Sequence, residues 1–305
     1  MQSKCLGKAI LVAGATGNLG GQITRALISK GAEVRVIVRP DSDPKKVISL
    51  EDAGAKVFKV DMSKIDEVAE ACEGVDCVVS AMAGLRDVII DSQKVLLDAA
   101  VKAGVPRFIP SDYSIDFTKF SPGENRNLDW RREFHTLLDA APIKATTIFC
   151  GAFADMLTGQ MPLIFFKQKL VLYWGKAEHT MQFTTVDNTA EFTANAALDP
   201  STPRFLWIAG DQPTPRDIRQ VMTEISGKKF HLLRTGGPGW LSTIIKIARK
   251  MAPGETELYP AWQGMQYMRN MIDERSTLDR IDNDRYPGMK WTKVRELLAA
   301  FHHKA

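Results

Sequence analysis

Seven residues near the amino terminus have types and spacing that could do chemistry: Gly14-Ala15-Thr16-Gly17-Asn18-Leu19-Gly20. They follow an apolar run, Ala9 to Ala13, and open a segment with Ile23, Ala26, Leu27 and Lys30 at helical spacing. Gly14 permits a tight turn out of a strand. Gly17 lets the backbone approach a pyrophosphate without a Cβ in the way, and Gly20 lets the helix lie close to the sheet. The start of such a helix offers free N–H groups and the positive end of its dipole to a phosphate. The chemistry implied is dinucleotide binding. Such a site reads its ribose at the end of the second strand, here Val36-Ile37-Val38-Arg39, with Arg39 well past Gly20 where the reader should sit. A guanidinium there pairs with a 2′-phosphate through two hydrogen bonds, and Lys45 and Lys46 follow. Asp41 and Asp43 could instead reach a ribose hydroxyl, yet the balance favours NADP(H) over NAD(H).

Two further groups suit an apolar or aromatic ligand: Phe153, Met156 and Leu157, then Trp262, Met265 and Met268. Each is equally readable as helix core. The four cysteines, Cys5, Cys72, Cys77 and Cys150, contain no CxxC pair. That excludes zinc and dithiol-redox readings and leaves buried free thiols in a reducing compartment. No metal site is expected.

The elements that must position the glycine loop are legible. β-branched runs at Ala9–Val12, Glu33–Val38, Lys56–Val60, Asp76–Val79, Arg107–Ile109 and Ala145–Phe149 alternate with amphipathic stretches such as 18–30 and 88–102. Gly31, Gly54, Gly74 and Gly104 punctuate four helix-to-strand junctions, where glycine supplies the left-handed turn that ends a helix. Strands alternating with helices predict a parallel sheet covered on both faces. After Phe149 the pattern loosens. Short strands are expected at 170–173, 181–185 and 204–208, and helices at 187–198 and from Thr214-Pro215 through Ile225. The tail from Gly237 reads as mostly helical. The expected division is residues 1–153 as the dinucleotide-binding domain and 154–305 as a smaller α/β substrate lobe whose strands return to the first.

The balance of 40 basic against 36 acidic residues leaves a net charge of +4, with no basic stripe. Direct nucleic-acid binding is not expected. No apolar stretch is long enough to cross a bilayer as a helix, so a membrane span is not expected either, and the reading is a cytoplasmic protein.

The Gly14–Gly20 loop, the Val36–Arg39 strand end and the segment Arg107-Phe108-Ile109-Pro110-Ser111-Asp112-Tyr113 together resemble the NmrA-like branch of the atypical short-chain dehydrogenase/reductases, which includes isoflavone reductases. Asp187-Asn188-Thr189-Ala190 and Ile225-Ser226-Gly227-Lys228-Lys229 add to the resemblance, which spans roughly residues 8–235. It implies a Rossmann-type doubly wound parallel sheet with NADP(H) across its strand ends. It further implies phosphate contacts from Thr16, Asn18 and Leu19, and 2′-phosphate contacts from Arg39 and Lys46. Asp61-Met62 and Ala81-Met82 would lie beside the adenosine and the dinucleotide bridge. Ser111, Cys150 and Gly151 would also reach the cofactor, the latter two within the 149–153 stretch near the nicotinamide.

The proton donor is harder to read. Short-chain reductases usually use a Tyr-xxx-Lys pair, and here only Tyr286 has a lysine, Lys290, at that spacing. The Pro287-Gly288 between them forbids a helix. The isoflavone-reductase branch uses a lysine on the helix before the sixth strand, where this chain has Arg131, and arginine rarely gives up a proton. Tyr113 and Ser111 at the strand edge, and His135 one turn past Arg131, are the substitute candidates. Tyr113 is also a candidate substrate contact, with Phe153, Met156 and Trp262. Two functions follow: an NADPH-dependent reductase of a small apolar or aromatic carbonyl or conjugated compound, or a non-catalytic NADP(H) sensor acting through a protein partner. An isomerase or epimerase with bound cofactor is a third. Oligomeric state is open.

Overall fold

The computed structural model describes residues 7–278 and 280–303; Cys5 lies outside them. Six parallel strands, β1 (Ala9–Ala13), β2 (Glu33–Val38), β3 (Lys56–Lys59), β4 (Cys77–Ser80), β5 (Arg107–Ile109) and β6 (Lys144–Ala145), form a sheet ordered β3-β2-β1-β4-β5-β6. The connecting helices are α1 (Asn18–Ser29), α2 (Pro44–Asp52), α3 (Ile65–Cys72), α4 (Gln93–Lys102) and α5 (Arg126–Ala140). The alternation predicted a parallel sheet covered on both faces, and the strand order is the Rossmann-type doubly wound one that the resemblance implies. Both faces are covered, so β1 is apolar at every position. Ile10 and Val12 pack toward α1 with Ile23 and Leu27. Leu11 and Ala13 pack on the other face with Val68, Leu96, Phe108 and Phe134.

Beyond β6 the chain runs through β7 (Thr147–Phe149), β8 (Ala152–Phe153), β9 (Ile164–Phe165), β10 (Leu170–Trp174), β11 (Phe183–Thr184), α6 (Val186–Leu198) and β12 (Phe205–Trp207). It finishes with α7 (Pro215–Ser226), β13 (His231–Gly236), α8 (Pro238–Met251), α9 (Ala261–Met271) and α10 (Val294–His302). The strand expected at 145–149 is two pieces. Thr146 N–H still donates to Phe108 O, whereas Thr147 N–H donates to Arg204 O, so the strand changes partner from β5 to β12 at that step. Within 88–102, residues Asp87–Ser92 form a π-helical turn before α4. Strand β13, inside a stretch lacking periodicity in sequence, pairs in parallel with β10. As expected, Thr214 caps α7, in a reciprocal box with Asp217, and Pro215 occupies its first position.

The packing cuts across the division at 153/154. Nearly every residue of α6 is buried. Its Ala190, Ala194, Ala196 and Ala197 join Ile10, Val12, Ile23 and Leu27 in one core, so a helix assigned to the second lobe covers the first sheet. The small residues Gly20, Gly21 and Thr24 lie on the buried face of α1 and allow close approach. The lobe has its own core, built on Phe117, Phe149, Leu157, Phe183, Met222 and Leu298. Among the described residues no helix is long and apolar enough to cross a membrane.

Candidate active site

Strand connections turn in opposite directions from β1 and β4, which leaves a crevice at the carboxyl ends of the strands. The glycine loop sits at its mouth. Gly14 has φ +84°, and a Cβ there would meet Ala81 O at 2.6 Å; a Cβ on Gly20 would meet Gly14 O at 2.2 Å. These two glycines hold β1, α1 and the Ala81-Met82 backbone at a separation no side chain would allow. Gly17 is the N-cap of α1, makes no side-chain cap, and is exposed together with Asn18. No acidic residue occupies the first turn. The start of α1 therefore presents uncapped N–H groups and an unneutralised positive dipole end. Thr16 and Leu19 are half-buried beside it.

Arg39 leaves the end of β2 with its side chain 76% exposed and 3.6 Å from Asp41. Lys45 and Lys46 are exposed on the next turn. Asp43, a rival ribose ligand, spends its carboxylate capping α2, accepting from Lys45 N–H at 2.9 Å. Asp61 is half-buried beyond β3, where its carboxylate accepts from the Ser63 amide and hydroxyl. Those bonds hold it below the ordinary aspartate range.

Past β5, Ser111 ties two loops together. Its N–H donates to the buried Gln93 side chain at 2.9 Å, and its hydroxyl donates to Met82 O at 2.7 Å. That hydroxyl proton is therefore committed. Arg131 reaches across from α5, donating from Nε to Ser111 O and from Nη1 to Asn127 O, both at 3.0 Å. Arg131 is thereby held against the backbone that follows β5.

The other two donor candidates are placed elsewhere. Tyr113 is buried in the core shared by β1, α1 and α6. Burial pushes its ionisation far above the ordinary phenol range, and the nearby Thr193 side chain opposes the rise only in part. The structure thus encloses its ring in the core instead of leaving it open at the strand edge. His135 is also buried. Its Nε2 lies 2.6 Å from Asp112 Oδ2, which also accepts from Thr147 Oγ1 at 2.8 Å. Phe117 packs on the imidazole at 4.9 Å. This is a structural pair beneath the sheet edge.

Of the apolar candidates, Phe153 and Met156 are half-buried against different cores. Trp262 is buried between the guanidinium groups of Arg126 and Arg249, at 4.8 and 4.9 Å, and donates to Pro253 O. These contacts tie α9 to the end of α8 and to α5. A small recess in the lobe is lined instead by Leu163, Tyr173, Trp174, Met181 and Met268. Gly151 has φ +68° against Gln182. Burial pushes the Cys72, Cys77 and Cys150 thiols up to about 12, so they are inert free thiols. No group of acidic, histidine or cysteine residues among the described residues could hold a metal. Tyr286 donates to Asp199 at 3.0 Å at the carboxyl end of α6, the end that Lys8 and Arg107 cap from the opposite edge of the sheet. Its lysine spacing has no catalytic meaning.

Sequence reasoning missed Gln93, which carries no motif and whose buried amide holds the Ser111 N–H, and Asn127, whose carbonyl holds Arg131.

The NmrA-like family model matches residues 7–296, nearly the whole chain. The chain belongs to the NmrA-like family. Among curated relatives, pinoresinol reductase 1 of Arabidopsis thaliana is 27% identical, with 96% of each chain covered. A bifunctional pinoresinol-lariciresinol reductase of Forsythia intermedia is 25% identical over 97% of this chain and 100% of its own. Among solved structures, isoflavone reductase superposes with a TM-score of 0.81 at 20% identity, covering 96% of this chain and 99% of that one. AtPrR2, solved with NADP+ and (+)pinoresinol, gives 0.77 at 24% identity, covering 96% and 98%. At these identities the structures establish an NmrA-like fold for the full chain.

Proposed function

We propose that this NmrA-like protein is an NADPH-dependent reductase of a small aromatic substrate. The observation that carries the reading is a convergence at one strand edge: the uncapped, acid-free start of α1, the exposed Arg39 at the end of β2, and Arg131 over the Ser111 carbonyl. The residues present fit a dinucleotide. The α1 N–H groups would hold its pyrophosphate, and Arg39 and Lys46 its 2′-phosphate. Asp61, Met62, Ala81 and Met82 would flank its adenosine side, with Ser111, Cys150 and Gly151 at the nicotinamide end. When bound, the cofactor supplies hydride to an electrophilic carbon. The chain's part is to hold the reactants together and to stabilise the oxygen that gains charge. Arg131 can do the second by donating from its remaining N–H groups. Full-length relatives named for reducing pinoresinol support an aromatic carbonyl, conjugated system or benzylic ether as substrate.

NADPH consumption across a panel of enones, quinones and benzylic aryl ethers tests the reading. Turnover of at least one class is expected. A second reading, an NADP(H) sensor acting through a protein partner, is favoured by the arginine at 131. Tight NADPH binding with no turnover of any compound would select it.

A further inference from the structure

Two lines of apolar residues run along α8, and only one of them is covered. Leu241 and Ile245 are buried where α8 packs on α9. Trp240, Ile244, Ile247 and Met251 follow one another at spacings of four, three and four residues, which sets them in a second line along the helix. Ile244 is half-buried, but Trp240, Ile247 and Met251 are 56%, 51% and 81% exposed. Scattered exposed apolar side chains are ordinary on a protein surface; a bare line of them marks an interaction site. Its first member has a built seat. A Cβ on Gly236 would meet Trp240 at 2.7 Å and Trp174 at 3.2 Å, so both indoles pack over a glycine that leaves them room. Lys246 and Lys250, one turn apart and exposed, flank the line. Among the described residues neither lysine has an acidic partner, and the Trp240 indole N–H has no acceptor. The chain between Glu224 and Glu255 holds six lysines and arginines and no acidic residue.

We propose that the outer face of α8 binds the surface of membranes rich in anionic phospholipid. Trp240, Ile247 and Met251 enter the boundary between headgroups and acyl chains, and Lys246 and Lys250 meet the phosphates. The helix lies on the bilayer and does not cross it. Two features select lipid over a second copy of the chain. A twofold contact through this face would bring both lysine pairs into one interface, where like charges repel. An indole N–H without an acceptor, beside bare aliphatic side chains, suits the interfacial layer, which is apolar on one side and wet on the other. The lysine stems can rest along the apolar line while their ammonium groups reach the headgroups. Membrane binding needs neither cofactor nor turnover, so it stands apart from the reductase reading.

Flotation of the full chain with vesicles of phosphatidylcholine and phosphatidylserine in equal parts, against vesicles of phosphatidylcholine alone, is the test. Binding to the anionic vesicles is expected, and it should weaken as salt is raised. Lys246→Gln with Lys250→Gln should weaken it about 25-fold, roughly fivefold per lysine. Ile247→Ser with Met251→Ser changes two exposed positions, spares the core, and should weaken it about tenfold or more. With brominated acyl chains the tryptophan fluorescence should be quenched, and Trp240→Phe should remove most of that quenching. No flotation with either vesicle, or flotation that neither double substitution alters, would overturn the proposal. Equal binding to both vesicles would overturn the selection of anionic lipid. A dimer in sedimentation that Ile247→Ser with Met251→Ser dissociates, without flotation, would give the face to a second copy and overturn the proposal as well.

Discussion

Replacing Arg39 with Ser is the sharpest probe of cofactor choice. Its side chain is 76% exposed and, among the described residues, its guanidinium pairs with Asp41 at 3.6 Å. An exposed pair of that kind is worth about 0–1 kcal/mol, so little is given up when the side chain turns to a phosphate. A charge-assisted hydrogen bond to a 2′-phosphate contributes about 1.5–3 kcal/mol. The net loss in Arg39→Ser is therefore about 0.5–3 kcal/mol, a roughly 2- to 150-fold rise in the NADPH Kd. NADH lacks the phosphate, so its Kd should be unchanged. Fluorescence titration of both proteins with both nucleotides reads the effect directly, and raising the salt concentration should shrink it. Equal weakening of NADPH and NADH, or a wild-type protein that binds NADH tenfold tighter, would refute the argument.

Two further outcomes concern groups outside the cleft. Asp112→Ala leaves His135 and Thr147 buried without their acceptor, so stability by urea unfolding should fall by about 3–5 kcal/mol; a negligible loss of stability alongside abolished turnover would restore His135 as a reacting group. Burial alone would raise the Asp199 ionisation, but Ser201, Arg285 and Tyr286 together hold it at about 2 against an ordinary 3.8. A depressed carboxylate contributes stability above its unfolded pKa and loses it as pH falls through the folded one. Asp199→Asn should cost about 1–2 kcal/mol at pH 7, discounted for partial exposure, and should flatten the decline between about pH 4 and 2; an unchanged acid unfolding curve would remove this account.

The parts of the fold legible in sequence are those where local pattern and tertiary role coincide. The strand of apolar residues before Gly14, the glycines at helix ends and the Thr214-Pro215 start are each dictated by their immediate neighbours. The glycine loop could be read for the same reason, since its geometry depends on adjacent residues. Tyr113 misled because position along the chain gives the strand edge but not the direction of the side chain: its ring turns into the core under α6, a helix that arrives much later in the sequence. His135 misled in the same way, through an acidic partner that only the fold brings to it. The amides that dock α9 on α5 were invisible because they follow no motif and their partners belong to another element. Trp262 and Met268 share one helix, and periodicity alone could not say that one is core and the other faces a recess.

The covering of the sheet by α6 has a consequence for how this chain is made. When the chain through Phe149 has left the ribosome, the strands can pair and α1 and α2 can cover part of the face bearing Ile10, Val12, Val36 and Ile148, but the share that α6 covers is still open. That apolar surface stays wet until Val186–Leu198 and the strand after it emerge. The nascent first half is thus a client for any holding factor that recognises exposed apolar sheet. A chain cut off before α6 would be a source of aggregates, although it carries every residue of the phosphate loop.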